Sequence, residues 1–324
     1  MKPNHLLYAR PILLALLFAL CSRPAFPWGC TGHQVVALIA EHQLTPEIRA
    51  SLEKLLAENP VDPQLKRYCT PSTGDSLLDA STWPDDVRNT AKNGPWHYIN
   101  IPRGVPHGPL DAYCGDQGCI TFAIAEQWAI LKNPKASSAR RAEAARYLIH
   151  FVADLHMPLH ASDNNDLGGN CVPVRFFDRA PQQHTHTYSP NLHSVWDVEI
   201  LERLRNSAEP SEFAANLEKK LANDSSVWRN AGIHVDDWAW ESHDLADSVV
   251  YAELTPPVPI EPPQTVHVCT DANDIGARML ALKVSAGQAY QDIAAPIVEK
   301  RLAQAGIRLA MILNDALAPS ATAH

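Results

Sequence analysis

The chain has 324 residues, 46% of them hydrophobic, which is enough to bury one large core. Its 27 lysines and arginines against 36 aspartates and glutamates give a formal charge of -9, so it offers no basic face of the kind that grips duplex nucleic acid through many phosphates. Any polyanion bound here must be held by something other than basic side chains, such as metal ions.

Residues 1–27 read as a signal peptide: "MKPNHLLYAR" is basic, "PILLALLFAL" is an apolar run, and "CSRPAFP" follows it. The run is too short to span a bilayer, and no later segment approaches the roughly 20 apolar residues of a spanning helix. The sequence therefore predicts an exported protein, secreted or periplasmic, with no stable membrane anchor. Lys2, Arg10 and Arg23 leave with the leader, taking the basic count from 27 to 24 against 36 acidic residues and the formal charge from -9 to -12.

The seven cysteines become six once Cys21 is removed, an even number that points to disulfides in an exported chain. Cys114 and Cys119 flank "GDQG", whose glycines permit the turn of a short bridge. Cys30, Cys69, Cys171 and Cys269 leave three connectivities open.

Downstream of the leader, "HQVVALIAEHQL", "PEIRASLEKLLAEN", "SSARRAEAARYLIHFVADLH", "NLHSVWDVEILERL" and "AAPIVEKRLAQAGIRLAMILNDAL" carry apolar residues at three-and-four spacing. The expected fold is mainly α, a single-domain helical bundle over 28–318. "WHYINI" and "CVPVRFF" are the strand candidates, enough for a small β-hairpin. "TPPVPIEPPQ" at 255–264 reads as a stiff connection between helices of the same bundle, and 319–324 as a disordered tail.

The chemistry concentrates in "HFVADLHMPLH". His150 and Asp154 are four apart and share a helix face, and Pro158 stops the helix, which frees His160 to turn back toward that face. "HSVWD" repeats the spacing with His193 and Asp197. A lone histidine on an apolar face is more often a hydrogen-bonded core residue than a ligand. Two histidine–aspartate pairs on helices that otherwise look like core are harder to bury without a cation, and imidazole nitrogen with carboxylate oxygen is the usual zinc donor set outside thiolate sites. Asp85 in "STWPDDVR" and His97 in "WHYIN" fit the same reading more weakly. His156 projects about 60° from His150 and more than 160° from Asp154 at about 100° per residue, which predicts support of the ligands rather than ligation. His107, His184, His186, His234, His243 and His267 are expected to be solvated. "WGCTGH" places Trp28 and His33 beside the new N-terminus, where a free α-amine and its own carbonyl can chelate a metal.

From Trp28 to about Leu317 the motifs "WGxxGH", "WPD" with an arginine three residues on, "WHY", "HFxxDxHxPLH", "GGN" and "LHxxWD" resemble the zinc-dependent single-strand-specific nucleases of fungi, plants and bacteria, which share the zinc phospholipase C fold. The resemblance implies three zinc ions. The first would be held by Asp85, His97, His150 and Asp154, the second by His160, His193 and Asp197, and the third by the amine and carbonyl of Trp28 with His33 and Asp154. It further implies that Arg88 contacts the scissile phosphate, that Tyr98 and Leu167 wall a base pocket, and that Asn170 is a polar group within it. Asn100 stands where the fungal relatives place an aspartate near the base. The implied reaction is attack on phosphorus by a zinc-activated hydroxide. Substrates would be single-stranded DNA and RNA, giving 5′-phosphorylated products, and 3′-nucleotides. The rival readings are a zinc phospholipase C, which would offer glutamate where "HSVWD" ends in aspartate, and a non-catalytic exported protein stabilised by zinc.

Overall fold

The computed structural model describes residues 28–69, 76–270 and 275–319. The expected leader, residues 1–27, and residues 320–324 of the expected tail lie outside these.

Helices α1 (Gly29–Gln43), α2 (Pro46–Glu58), α3 (Ser76–Ala91), α4 (Ile120–Lys132) and α5 (Ser138–Leu155) form the first part of the bundle. Helix starts follow local chemistry: Thr45 accepts the Ile48 N–H ahead of Pro46, and Ser137 accepts the Arg140 N–H at the head of α5. Packed by α2, α3, α4 and the C-terminal helix, α5 is buried on nearly every side from Ala144 to Leu155. A helix enclosed in this way reads as apolar all round, so the histidine and aspartate it carries sit inside the protein.

The chain continues through β1 (Arg175–Phe176), β2 (Gln182–Gln183), β3 (Tyr188–Ser189), α6 (Leu192–Ser194), a π-helical turn (Val195–Glu199), α7 (Ile200–Arg205), α8 (Pro210–Lys220), α9 (Ala222–Asn230), α10 (Val235–Leu245), a second π turn (Ala246–Val250), α11 (Ile275–Ala281), β4 (Ser285–Ala286) and α12 (Gln288–Leu317). The last helix lies along α1 and α5. Gly306 allows the approach to α1, since a Cβ there would stand 2.5 Å from Ile39 Cγ2. The expected mainly α bundle is what the chain forms.

The strands differ from expectation. "WHYINI" forms no strand: Gly94–His97 is a 3₁₀ turn, with Pro95 setting its backbone. From "CVPVRFF" only Arg175–Phe176 is a strand, pairing in parallel with Ser285–Ala286, while the antiparallel hairpin is Gln182–Gln183 with Tyr188–Ser189. Alternation over so few residues cannot identify a partner that lies far along the chain. The proline-rich stretch is a strap across the same body: Asn164 Nδ2 donates to Pro259 O at 3.0 Å, and Glu261 N donates to Asn164 Oδ1 at 3.0 Å. The disulfides are Cys30–Cys69, Cys114–Cys119 and Cys171–Cys269. Among the described residues no helix is long and apolar enough to cross a membrane.

Candidate metal centre

Seven elements spread along the chain deliver side chains to one buried locus. Helix α5 supplies His150 and Asp154, and the 3₁₀ turn after it, Pro158–His160, supplies His160. Asp85 comes from α3, His97 from the Gly94–His97 turn, His33 from α1, His193 from α6 and Asp197 from the first π turn. The ligating atoms of His33, His150 and Asp154, of Asp85, His97 and His150, and of His160, His193 and Asp197 form three groups, each within 4.8 Å.

Asp154 is the hub. Its Oδ2 lies 3.1 Å from His97 Nδ1 and 3.2 Å from His150 Nε2, and its Oδ1 lies 3.3 Å from His33 Nε2 and 4.0 Å from His160 Nδ1. Asp85 Oδ1 is 3.7 Å from both His97 Nδ1 and His150 Nε2. Across the centre His193 Nε2 meets Asp197 Oδ2 at 2.9 Å, and the Trp28 backbone N donates to Asp197 Oδ1 at 3.1 Å.

Three rings are oriented by main-chain carbonyls, each at 2.7 Å: His150 Nδ1 on Ser81 O, His160 Nδ1 on His97 O, and His193 Nδ1 on Gly168 O. A carbonyl only accepts, so Nδ1 carries a proton and Nε2 is the nitrogen turned toward the centre to meet a cation, the usual arrangement behind a metal-bound imidazole. Burial holds His97 down to about 3 and His160 to about 4, so both stay neutral. Burial raises Asp85 to about 7. Burial opposes the charge on His150 as well, but Asp154 and Asp85 outweigh it and raise the ring to about 9. Burial would raise Asp154, yet His150 and His160 hold it well below the ordinary carboxylate range.

The buried oxygens Asp85 Oδ1, Asp154 Oδ1 and Asp197 Oδ2 accept no hydrogen bond. Carboxylate oxygens left so inside a protein are costly, and a cation is the partner that this mixed nitrogen and oxygen set fits.

At the margin, Arg88 is half-buried and close enough for its charge to act on Asp85, His97 and His193. Tyr98 is half-buried and Asn100 exposed. Leu167 is 36% exposed at φ 59°, and Asn170 Nδ2 donates to its carbonyl at 2.8 Å.

Two expectations need correction. His156 does not stand behind the ligands: its Nδ1 bonds Val152 O at 2.7 Å and its Nε2 meets Arg308 Nη1 at 2.9 Å, in a buried network with Arg301 and Glu241. His156 caps α5 still in the right-handed helical region, and the rotation that turns it from Asp154 brings it to Arg308 of α12. His243 is not solvated but 2% exposed, packed edge-on to Trp240, because α10 buries the face on which it lies. The orienting carbonyls of Ser81, His97 and Gly168 were beyond sequence reasoning, since a backbone oxygen leaves no residue-type signal.

A helical bundle closed around adjoining histidine and aspartate clusters, with an arginine at the rim, has the architecture of a metallohydrolase. Residues 28–318 match the S1/P1 Nuclease family model, and the chain belongs to this zinc-dependent family of nucleases. It is 30% identical to "Endonuclease 5" of Arabidopsis thaliana over 314 residues, covering 90% of each chain. It is also 26% identical to "Nuclease PA3" of Penicillium over 298 residues, covering 89% of this chain and 97% of the relative. With "Nuclease S1" of Aspergillus oryzae the identity is 24% over 300 residues, covering 89% and 91%. The protein is therefore a hydrolase of nucleic-acid phosphodiesters, and its disulfides suit an oxidising compartment.

Proposed function

We propose that this chain cuts single-stranded DNA and RNA to 5′-phosphorylated products with three zinc ions and also acts on 3′-nucleotides. The observation that carries this reading is the convergence of the three buried histidine–aspartate groups, two of which share His150. Asp85, His97, His150 and Asp154 would hold one ion, His160, His193 and Asp197 a second, and His33, Asp154 and the amine and carbonyl of Trp28 a third. When bound, zinc lowers the pKa of water toward about 7 and offsets negative charge on phosphate.

The chain's own residues do the rest. Asp154 would serve two ions, since its Oδ2 faces His97 and His150 and its Oδ1 faces His33. Arg88 donates to the phosphoryl oxygens as their charge grows. Tyr98 and Leu167 hold an unstacked base, with Asn170 and Asn100 as its polar neighbours. Single strands release a base at lower cost than a duplex does, which sets the strand preference. The leader, residues 1–27, directs export, and its removal frees the Trp28 amine.

The test is mature protein assayed on single-stranded DNA, RNA, 3′-AMP and phosphatidylcholine, with and without chelator. Cleavage of the first three, lost on chelation and restored by zinc, is expected. Hydrolysis of the phospholipid alone, or full activity in protein shown by elemental analysis to be metal-free, would overturn the reading.

A further inference from the structure

His193 is oriented by a carbonyl from a loop whose shape is unfavourable for ordinary residues. Between Asp163 and Asn170 the backbone has positive φ at Asn165 (57°), Leu167 (59°), Gly168 (60°) and Gly169 (79°). Two of these are not glycine, and each such residue costs on the order of 1 kcal/mol. Such a loop keeps its shape only where its surroundings determine it.

Two carboxylates do so, Asp163 half-buried and Asp166 fully buried. Asp163 Oδ1 accepts from Asp166 N at 3.1 Å and from Gly168 N at 3.0 Å. Asp166 Oδ1 accepts from Gly169 N at 2.7 Å, and the Tyr251 hydroxyl donates to both oxygens of Asp166 at 3.1 Å. Asp166 and Tyr251 are both 0% exposed. Tyr251 is itself fixed, since the Arg103 guanidinium lies 4.2 Å over its ring and pairs with Asp247 at 2.6 Å.

The peptide unit joining Gly168 to Gly169 is the link. In a trans peptide the C=O and the N–H point in opposite directions from one rigid plane. The N–H of this unit is held by Asp166, and its C=O takes the Nδ1 proton of His193 at 2.7 Å. The Gly169 carbonyl also accepts the His193 backbone N–H at 3.3 Å, so the loop grips this residue at both ring and main chain.

We propose that Asp166, oriented by Tyr251, is a positioning residue for His193, acting through the Gly168–Gly169 peptide. The proposal rests on the reading of His193 as a zinc ligand. It makes the unit a carboxylate–histidine–metal relay with one peptide inserted. The same loop presents Leu167 and Asn170 at the rim, so contact with substrate and the aim of a metal ligand are properties of one rigid turn.

The test compares mature, zinc-loaded wild type with Asp166→Ala, Asp166→Asn and Tyr251→Phe. Zinc release to a chromophoric chelator, kcat and KM on single-stranded DNA, and melting of the metal-free forms are measured. Asp166→Ala should bind one zinc about 10–100-fold more weakly, as loss of an outer partner of a ligand does, with kcat falling more than KM rises. Asp166→Asn, which keeps an oxygen for the Gly169 N–H, should recover most of both. If Asp166→Ala does not fold, Tyr251→Phe decides, because it removes a single hydroxyl; faster release of one zinc supports the relay. Zinc release and kcat unchanged in the variants that fold, with only the metal-free melting temperature lowered, would overturn it. A wild type that binds no zinc would overturn the functional reading beneath it.

Discussion

Replacing Asp154 by asparagine tests the centre at its hub. The side chain is 0% exposed and lies within 3.3 Å of ring nitrogens of His33, His97 and His150. Asparagine keeps the volume and removes the charge, so packing is little disturbed while the groups around it lose their shared anion. Removing one partner of a buried charged set costs about 3–5 kcal/mol. At about 1.4 kcal/mol per decade this is a loss of roughly 10²–10⁴ in affinity for at least one ion. Elemental analysis after dialysis, paired with initial rates on single-stranded DNA, measures the effect, and melting of the metal-free forms separates it from misfolding. His156→Ala, whose hydrogen bonds go to Val152 and Arg308 instead, should keep its zinc. Full metal content in Asp154→Asn together with lost metal in His156→Ala would refute the reasoning.

Arg88→Ala should retain zinc and lower kcat by about 10²-fold, the scale of one lost electrostatic donor; steady-state kinetics with elemental analysis checks this, and a pure KM effect would make Arg88 a binding residue only. Protein carrying extra residues before Trp28 should bind fewer zinc ions, because an amide nitrogen replaces the amine; mass spectrometry and metal analysis of exported protein would contradict this if fully active enzyme began at Ala25 or Phe26. Burial would raise Glu241, but hydrogen bonds from Arg308 and the charge of Arg301 hold it below the ordinary 4.5. The stability it adds is therefore present above 4.5 and lost as pH falls through its folded value, so Glu241→Gln should flatten the acid limb of melting temperature against pH. Gly306→Ala should destabilise by about 1–3 kcal/mol, the range of an overpacked core, read by denaturant unfolding, since its Cβ would meet Ile39 at 2.5 Å.

The helices and ligand pairs were legible because both are local. His150 with Asp154 and His193 with Asp197 are four apart, and helix geometry alone brings each pair together, even where the second pair crosses into a π turn. Asp85, His97 and His33 were only weak candidates on their own, and motif resemblance alone assembled them into ligand sets, since nothing in their own neighbourhoods marks them as converging. The pairings of Cys30 with Cys69 and Cys171 with Cys269 join residues 39 and 98 apart, a separation over which composition carries no signal. His156 and His243 were misjudged because their surroundings come from distant parts of the chain: His156 turns from Asp154 as helix rotation indicates, but onto Arg308 of α12, and His243 lies on a face that only the tertiary fold buries.

The place of Asp154 between two of the proposed ions, with Oδ1 beside His33 and Oδ2 beside His97 and His150, bears on how the centre fills and empties. Two sites that depend on one donor are thermodynamically linked, and each changes the affinity of the other by the same factor. The group of His160, His193 and Asp197 has no member in common with the others. On the proposed assignment, progressive chelation should not strip three equivalent ions. It should withdraw a lone ion and a linked pair in separate phases, and the partly emptied enzyme would be a distinct chemical species whose rate on each substrate can be measured.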